Sequence, residues 1–358
     1  MDKVFDSATD CRLLYNSPAQ NKSTLIVLRS KLSAISQRLN ISESKREGML
    51  LVASEMLSNQ IKHAGGRGLI QLWQQPGPVL DILALDYGPG IANLREAEMD
   101  GFSTTNTLGK GLGTIRRLSD ESFTYTQQEN LNKVKKWSGA IFLSRFFVDN
   151  EIGALGKGEV VPGKGDLSGF EVGLFSNSLA DNQHNGDRIY LHKSGTKLRW
   201  LHLDGLGHGK QAQAATDHLA VHLAHCATLE ALLTTIDHQL IDTRGAVAII
   251  GEIDLAQNKM QMLGVGDMHA HLYDQKQIHD VTFAPGILGR EHRSTSPFQT
   301  DFIKKCMVVT ASDGIRRNLD LGNFIGLFNQ PPQLIAYTLG NIMGRISDDQ
   351  SICVSTIK

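Results

Sequence analysis

The sequence has few cysteines, and none of them lie close together. Only four occur in 358 residues, and no two form a Cys-x-x-Cys pair. Such wide spacing is not typical of a disulfide framework or of a zinc site built from cysteine. We therefore expect four reduced thiols in a cytoplasmic protein.

Charge of one sign and long apolar runs are also missing. The 36 Lys and Arg residues nearly balance the 37 Asp and Glu residues, with a formal net charge of −1, so a basic surface for nucleic acid is not expected. The longest apolar runs, such as Ala246 to Ile250, are far shorter than the roughly 20 residues that span a bilayer. The N-terminal MDKVFDSATD lacks the basic and apolar parts of a secretory signal. These absences predict a protein that binds neither nucleic acid nor membranes.

The chain is long enough for two domains of ordinary size. A glycine-rich stretch over residues 148–169 lacks any sustained period and predicts a linker. It separates residues 1–147 from residues 170–358. Helical and strand-like patterns occur in both halves, so we expect mixed α/β domains. In the first half, helical periods cover 23–39 and 43–63, and apolar strand-like stretches follow them.

Three polar segments of the first half carry residue types suited to nucleotide binding. In EMLSN, Glu55 and Asn59 are four residues apart and share one helix face, where they could polarise a hydroxyl and help to hold Mg²⁺. Asp86 ends an apolar strand and is followed by Gly-Pro-Gly, so its carboxylate could accept from an exocyclic amine. The third segment, GKGLGT at 109–114, opens a helix whose N–H groups suit phosphates. Taken singly, each segment is also typical of a polar helix face, a strand exit or an ordinary glycine turn.

In this order, the three segments resemble the N, G1 and G2 boxes of the GHKL ATPase superfamily. The stretch DGFSTTNTLGKGLGTIRRLSD at 100–120 is most similar to the RsbT-type serine/threonine switch kinases. The resemblance implies a GHKL (Bergerat) α/β sandwich over 1–147 that binds ATP and Mg²⁺. It implies Glu55 as general base, Asn59 on Mg²⁺ and Asp86 on adenine. The implied nucleotide contacts are completed by Gly88, Gly90, Gly109, Lys110, Gly111, Leu112, Gly113 and Thr114.

Acidic residues in the second half recur where strands begin or end. Asp187 precedes one apolar strand and Asp204 ends the next, so a hairpin would bring both carboxylates to one end. Asp313 follows the strand VVT, and the pair Asp348 and Asp349 precedes the last strand. Oxygen ligands alone suit Mg²⁺ or Mn²⁺. Each Asp-Gly pair, including that in DGLGHG at 204–209, is also typical of a simple turn.

The order GD, DGLGHG, SDGI and DDQS resembles the metal-dependent protein phosphatases (PPM), in particular their SpoIIE/RsbX-type branch. This resemblance implies a PPM-type αββα sandwich over 170–358 with two Mn²⁺ or Mg²⁺ ions. It implies Asp187, Asp204 and the Gly205 carbonyl as ligands, with Asp204 bridging, and Asp313 and Asp348 on the second ion.

Two positions of this ligand set stay open in the sequence. Asp166, in GKGD, is an alternative to Asp187, which we prefer because its distance from Asp204 suits one hairpin. A role for Asp349 beside Asp348 is undecided. Gly186 stands where larger relatives carry an extra acidic ligand, which favours modest metal affinity and activation by a partner.

Together, the two resemblances imply a bifunctional regulator in the cytoplasm. It would phosphorylate and dephosphorylate a STAS-domain protein on Ser or Thr in a partner-switching pathway, with a downstream regulator as a further partner and self-association left open. Two alternatives remain: a phosphatase whose N-terminal domain only senses nucleotide, and a non-catalytic module that binds a sigma factor or a STAS protein.

Overall fold

The computed structural model describes residues 3–20, 22–75, 79–98, 111–129, 137–148, 167–179, 184–275 and 277–358. The chain forms two compact units. The ATPase unit, as we call it below, comprises Leu13–Gly163 and Asn323–Gln330; the sandwich unit comprises Met1–Arg12, Lys164–Gly322 and Pro331–Lys358.

The described elements have the following bounds. The strands are β1 (Lys3–Asp6), β2 (Arg12–Pro18), β3 (Gly68–Gln75), β4 (Val79–Asp86), β5 (Glu121–Gln127), β6 (Gly139–Phe147), β7 (Phe170–Asn177), β8 (Asp187–Ser194), β9 (Lys197–Gly205), β10 (Ala246–Asp254), β11 (Lys259–Val265), β12 (His269–Tyr273), β13 (Ile278–Val281), β14 (Phe298–Asp301), β15 (Met307–Ala311) and β16 (Gln350–Ile357). The helices are α1 (Ser7–Asp10), α2 (Lys22–Arg38), α3 (Glu43–Ala64), α4 (Leu94–Glu98), α5 (Gly111–Leu118), α6 (Lys210–Thr216), α7 (Val221–His225), α8 (Leu229–Leu240) and α9 (Pro332–Met343).

The ATPase unit is a five-stranded sheet covered by helices. Its strand order is β2-β3-β4-β6-β5. Every residue of β4 is buried, and alternate side chains such as Leu80 and Ile82 pack in one core with Leu32 and Met56 of α2 and α3. Because strand side chains alternate between faces, a sheet with one helix-covered face takes this pattern. Helix α3 ends at Ala64 and is capped by Gly65, which has φ +63°, a left-handed conformation that glycine adopts without penalty.

The sandwich unit has two stacked sheets. Their orders are β1-β8-β9-β10-β11-β14 and β13-β12-β15-β16-β7. His202 of β9 hydrogen-bonds Thr310 and Ser351 of the second sheet, so these two sheets pack face to face.

Helices cover the outer faces of the sandwich. Leu232 and Ile236 of α8 share a core with Leu203 and Ile250 of the first sheet. On the second sheet, α9 lies so close that a Cβ at Gly340 would be 2.5 Å from the Phe175 ring. The layers are therefore helix, sheet, sheet, helix, and the predicted αββα arrangement is confirmed.

Two short segments do not follow the predicted domain boundaries at 147 and 170. By those boundaries, strand β1 would belong to the first domain and Asn323–Gln330 to the second, whereas each lies in the other unit. Strand β1 pairs with β8 in the sandwich sheet, where Arg188 forms ion pairs with Asp6 and Asp217. The segment Asn323–Gln330 belongs to the ATPase unit, in which Gln127 Nε2 donates to the Asn323 carbonyl at 2.9 Å. Both attachments depend on contacts between residues distant in sequence.

Candidate functional site

In the ATPase unit, α3 and the start of α5 bring the predicted catalytic and phosphate-binding residues together. Glu55 and Asn59 are half-buried on α3. A Cβ at Gly111 would lie 3.0 Å from Glu55 Oε2 and 3.6 Å from Asn59 Nδ2. The first turn of α5 therefore lies against the helix face that carries both side chains, where its unpaired N–H groups can face an anion.

Of the other predicted residues of this loop, three are described by the structure and two are not. Leu112 packs against the hydrophobic core of the unit, and Thr114 Oγ1 accepts from Arg117 at 3.2 Å; Gly113 lies between them in α5. Gly109 and Lys110 lie outside the described residues. Their assignment to the phosphates remains a prediction.

Asp86 is the last residue of β4, and one of its two carboxylate oxygens accepts hydrogen bonds. Its Oδ1 accepts from the backbone N–H groups of Gly88 at 2.9 Å and Ala140 at 3.2 Å, whereas no described residue donates to Oδ2. Burial raises the pKa of this carboxyl group, although these two hydrogen bonds oppose the shift. A buried acceptor with one free oxygen has the chemistry needed to bind an amine donor.

Gly88 and Gly90, close to Asp86 in sequence, lie so near to neighbouring atoms that a larger residue would not fit. A Cβ at Gly88 would lie 3.0 Å from the Ala64 Cβ, and one at Gly90 would lie 2.4 Å from the Gln127 carbonyl oxygen. Gly90 also has φ +78°, which disfavours residues with a Cβ.

An aromatic pair that no sequence motif indicates lies next to this carboxylate. Trp137 Nε1 donates to the Asp86 carbonyl at 3.1 Å, and its ring stacks on Tyr125 with centroids 5.7 Å apart. Sequence offered no signal for the pairing, since the two rings are twelve positions apart on different segments.

In the sandwich unit, Asp187 and Asp204 lie directly opposite each other on β8 and β9. The pairing follows from the hairpin that joins these strands. Asp313 comes two residues after β15, and Asp348 comes two residues before β16, which is the neighbour of β15 in the second sheet. The structure therefore brings all four predicted carboxylate ligands to one end of the sandwich.

These carboxyl groups repel one another. Burial, followed by the charges of Asp187, Asp313 and Asp348, raises the pKa of Asp204 well above its usual value. Burial also raises the pKa of Asp187, and the charges of Asp349 and Asp348 add to that shift. For Asp313, burial and the charge of Asp348 raise the pKa. Like charges this close and this buried are stable only when protons or cations neutralise them.

The donor set fits a divalent cation chemically. It consists of carboxylates without cysteine, as hard cations prefer. The charges of Asp313 and Asp348 both raise the pKa of Asp204, and a cation would relieve this repulsion. Among the residues that the structure describes, no three His, Cys, Asp or Glu side chains are close enough together to hold a metal ion.

DGLGHG is not a hairpin turn. It connects the end of β9 to helix α6, and β9 pairs next with β10, starting at Gly205 opposite Ala246. Gly207 and Gly209 have φ values of +80° and +79°. A Cβ at Gly205 would lie 2.6 Å from the Ala212 carbonyl oxygen. The glycines therefore allow a tight passage from strand to helix, and the simple-turn interpretation is wrong.

Asp349 has a role in holding the loop that precedes β8. Its Oδ1 accepts from the Leu179 N–H and its Oδ2 from the Gly186 N–H, both at 2.7 Å. Both oxygens are thus engaged with backbone. A Cβ at Gly186 would lie 2.9 Å from the Ala212 Cβ, so this position has no room for an extra acidic ligand. Asp166 lies outside the described residues.

A hydrogen-bonded chain of side chains supports Asp187 from inside the sandwich. Ser351 Oγ donates to Asp187 Oδ2 at 2.7 Å, so it must accept from His202 Nε2 at 2.8 Å. His202 Nδ1 then accepts from Thr310 Oγ1 at 2.9 Å. Burial lowers the pKa of His202 to about 3, and the neutral ring matches this proton arrangement.

Asp267 is a further carboxylate near this cluster, outside the predicted ligand set. It is exposed after β11, and its charge contributes to the raised pKa of Asp313. The signal was present, because Asp267 comes two residues after an apolar strand, as Asp313 does.

Comparison with known proteins identifies the N-terminal domain. Residues 18–135 match the family described as Histidine kinase-like ATPase domain. Over 70 residues the chain is 43% identical to the Serine/threonine-protein kinase RsbT of Bacillus subtilis (strain 168), which is 19% of this chain and 53% of that protein. The match therefore spans about half the length of this relative. The predicted ATPase domain is confirmed.

Several solved structures align with the chain at low identity. RsbX in complex with magnesium is 16% identical, with 53% of this chain and 96% of that chain covered and a TM-score of 0.47. A PP2C phosphatase domain with a fragment of the regulatory domain of SpoIIE from Bacillus subtilis is 14% identical, with 94% and 95% covered and a TM-score of 0.44. Likenesses at this level carry no argument about activity. Among the described helices, none is long and apolar enough to cross a membrane.

Proposed function

We propose that the chain is a bifunctional partner-switching regulator. Its ATPase unit would phosphorylate a STAS-domain protein on Ser or Thr, and its sandwich unit would remove that phosphate. The N-terminal match and the RsbT relative support the kinase half. The phosphatase half is carried by one observation: four carboxylates converge at one end of an αββα sandwich, where burial and neighbouring carboxylate charges raise the pKa values of Asp187, Asp204 and Asp313.

In the kinase half, each role follows from position and chemistry. Glu55 would accept the proton of the substrate hydroxyl, and Asn59, one helical turn later, would contribute an oxygen to Mg²⁺. The free Oδ2 of Asp86 would accept from the adenine amine. ATP supplies the phosphoryl group, so these residues need only position the reactants and balance charge.

In the phosphatase half, Asp187, Asp204 and the Gly205 carbonyl would hold one Mn²⁺ or Mg²⁺ ion, and Asp204, Asp313 and Asp348 a second. Such ions supply charge that polarises a phosphoryl group and acidifies water. The protein residues fix the carboxylates. Ser351 orients Asp187 with one hydrogen bond, and the glycines after Asp204 allow the tight passage from β9 into α6.

Label transfer from ATP tests the kinase half. The full chain, γ-labelled ATP, Mg²⁺ and a STAS-domain protein should yield a labelled Ser or Thr, and Glu55→Gln should reduce the rate at least about a hundredfold. Glu47→Gln, on the same helix, is the matched control. ATP binding without transfer would favour a nucleotide-sensing domain instead.

Hydrolysis of p-nitrophenyl phosphate tests the phosphatase half. The reaction should require Mn²⁺ or Mg²⁺ and be lost in Asp204→Ala and Asp187→Ala, but not in Asp166→Ala. If Asp204→Ala hydrolyses the ester like the wild type, the metal site is wrong. Absence of both activities, with stoichiometric binding of a STAS protein or sigma factor that survives Glu55→Ala, would support the non-catalytic alternative.

A further inference from the structure

Arg345 is placed beside the carboxylate cluster by its backbone. Its N–H donates to the carbonyl of Gly314 at 2.8 Å, and Gly314 follows Asp313 directly. Gln350 Nε2 donates to the Arg345 carbonyl at 2.5 Å. In sequence, the residue comes three positions before Asp348. The backbone of Arg345 is thus fixed between two of the proposed metal ligands.

Arg345 is exposed, and within the described ranges it makes no ion pair. Its positive charge opposes the rise in the pKa of Asp313, in agreement with the backbone hydrogen bond that places Arg345 next to Gly314. An arginine near several carboxylates would ordinarily close onto one of them. Arg345 instead stays exposed, with its backbone held next to Gly314.

We propose that Arg345 binds the phosphoryl oxygens of the substrate at the sandwich-unit site. The inference rests on the proposed phosphatase function and assigns a residue that holds the substrate anion. Cations on the carboxylates would neutralise them, leaving the planar fork of Arg345 free for two oxygens of a phosphate dianion. The same fork would hold inorganic phosphate as product.

Steady-state hydrolysis of p-nitrophenyl phosphate by the full chain tests this role. Arg345→Ala should raise both KM and the inhibition constant of inorganic phosphate about 10- to 100-fold, the loss expected for a charge-assisted hydrogen bond. Arg345→Lys should give an intermediate value, because it keeps the charge and loses the fork. Lys259→Ala, at the opposite end of the first sheet, should match the wild type.

Two further measurements separate this role from the rest of the site. The Mn²⁺ activation constant should not change in Arg345→Ala; a change in that constant with unaltered phosphate inhibition would overturn the proposal. So would wild-type KM and inhibition in Arg345→Ala, although the phosphatase assignment would then stand. If the wild type hydrolyses no ester, calorimetry can measure the binding of inorganic phosphate to the Mn²⁺-loaded wild type and to Arg345→Ala. Equal binding constants for the two proteins would refute the role of Arg345 in phosphate binding.

Discussion

Asp187→Asn should stabilise the metal-free protein near neutral pH and yet abolish its stabilisation by metal. Burial, with the charges of Asp349 and Asp348, raises the pKa of Asp187 to about 7 from 3.8. Between these pH values the folded state holds a proton that the unfolded chain has released. The free energy of unfolding therefore falls as pH rises through this window.

The magnitude follows from the size of the shift. At about 1.4 kcal/mol per pKa unit, the folded wild type loses about 4 kcal/mol between pH 4 and pH 7. The Asp187→Asn variant has no such pH-dependent loss. Its buried amide N–H groups lack hydrogen-bond acceptors, however, which lowers its stability by about 1–3 kcal/mol. We expect the variant to be less stable than the wild type at pH 4 and about 1–3 kcal/mol more stable at pH 8. With Mn²⁺ at 100 times its Kd, the wild type gains about 2.7 kcal/mol and the variant gains nothing.

The assay can be confined to the sandwich unit, because the chain has three tryptophans. Trp73→Phe and Trp137→Phe leave Trp200, which is fully buried in β9, as the sole fluorescent reporter. Urea unfolding followed by its emission, from pH 4 to pH 8, gives the stability with EDTA or with Mn²⁺.

Asp301, exposed on β14 of the same sheet, provides the matched control Asp301→Asn. This variant should change the dependence of stability on pH neither with EDTA nor with Mn²⁺. A variant that is destabilised at every pH, or that gains as much from Mn²⁺ as the wild type, would refute the reasoning.

Other substitutions test single contacts. Asp349→Ala should destabilise the sandwich unit by about 3–6 kcal/mol, because it removes two charge-assisted hydrogen bonds to backbone, and denaturant unfolding measures the loss; a change below about 1 kcal/mol would contradict its role in the loop. Thr310→Val leaves His202 Nδ1 without a donor, so we expect a loss of about 1–3 kcal/mol in the same assay; an unchanged midpoint would show that the chain of hydrogen bonds does not hold Asp187. Gly111→Ala places a methyl group 3.0 Å from Glu55 Oε2 and should weaken ATP binding severalfold by calorimetry, whereas unaltered binding would place the phosphates elsewhere.

Much of the architecture follows from local patterns. Apolar runs such as that of β4 and the helical period of α3 specify their elements because burial of one face is encoded at fixed spacing. The pairing of Asp187 with Asp204 was also predictable, since a hairpin leaves few registers for strands separated by two residues. The short edge strand β1 was not, because four residues carry too little periodicity.

The sequence by itself determined which residue types the two sites contain. Asp204 in DGLGHG, Asp313 in SDGI and Glu55 with Asn59 stand in local contexts that already indicate their chemistry. Motif order adds the expected fold, because the order of strands along the chain is part of the sequence.

Only the tertiary structure decided how those groups are held. Asp349 differs from Asp348 by one position, and its engagement with the Gly186 amide depends on a loop more than 160 residues away. The support of Asp187 by His202 needs two sheets to stack, and the position of Arg345 needs a backbone bond to Gly314. Such contacts join distant segments, and their energies depend on burial and distance that no local pattern records.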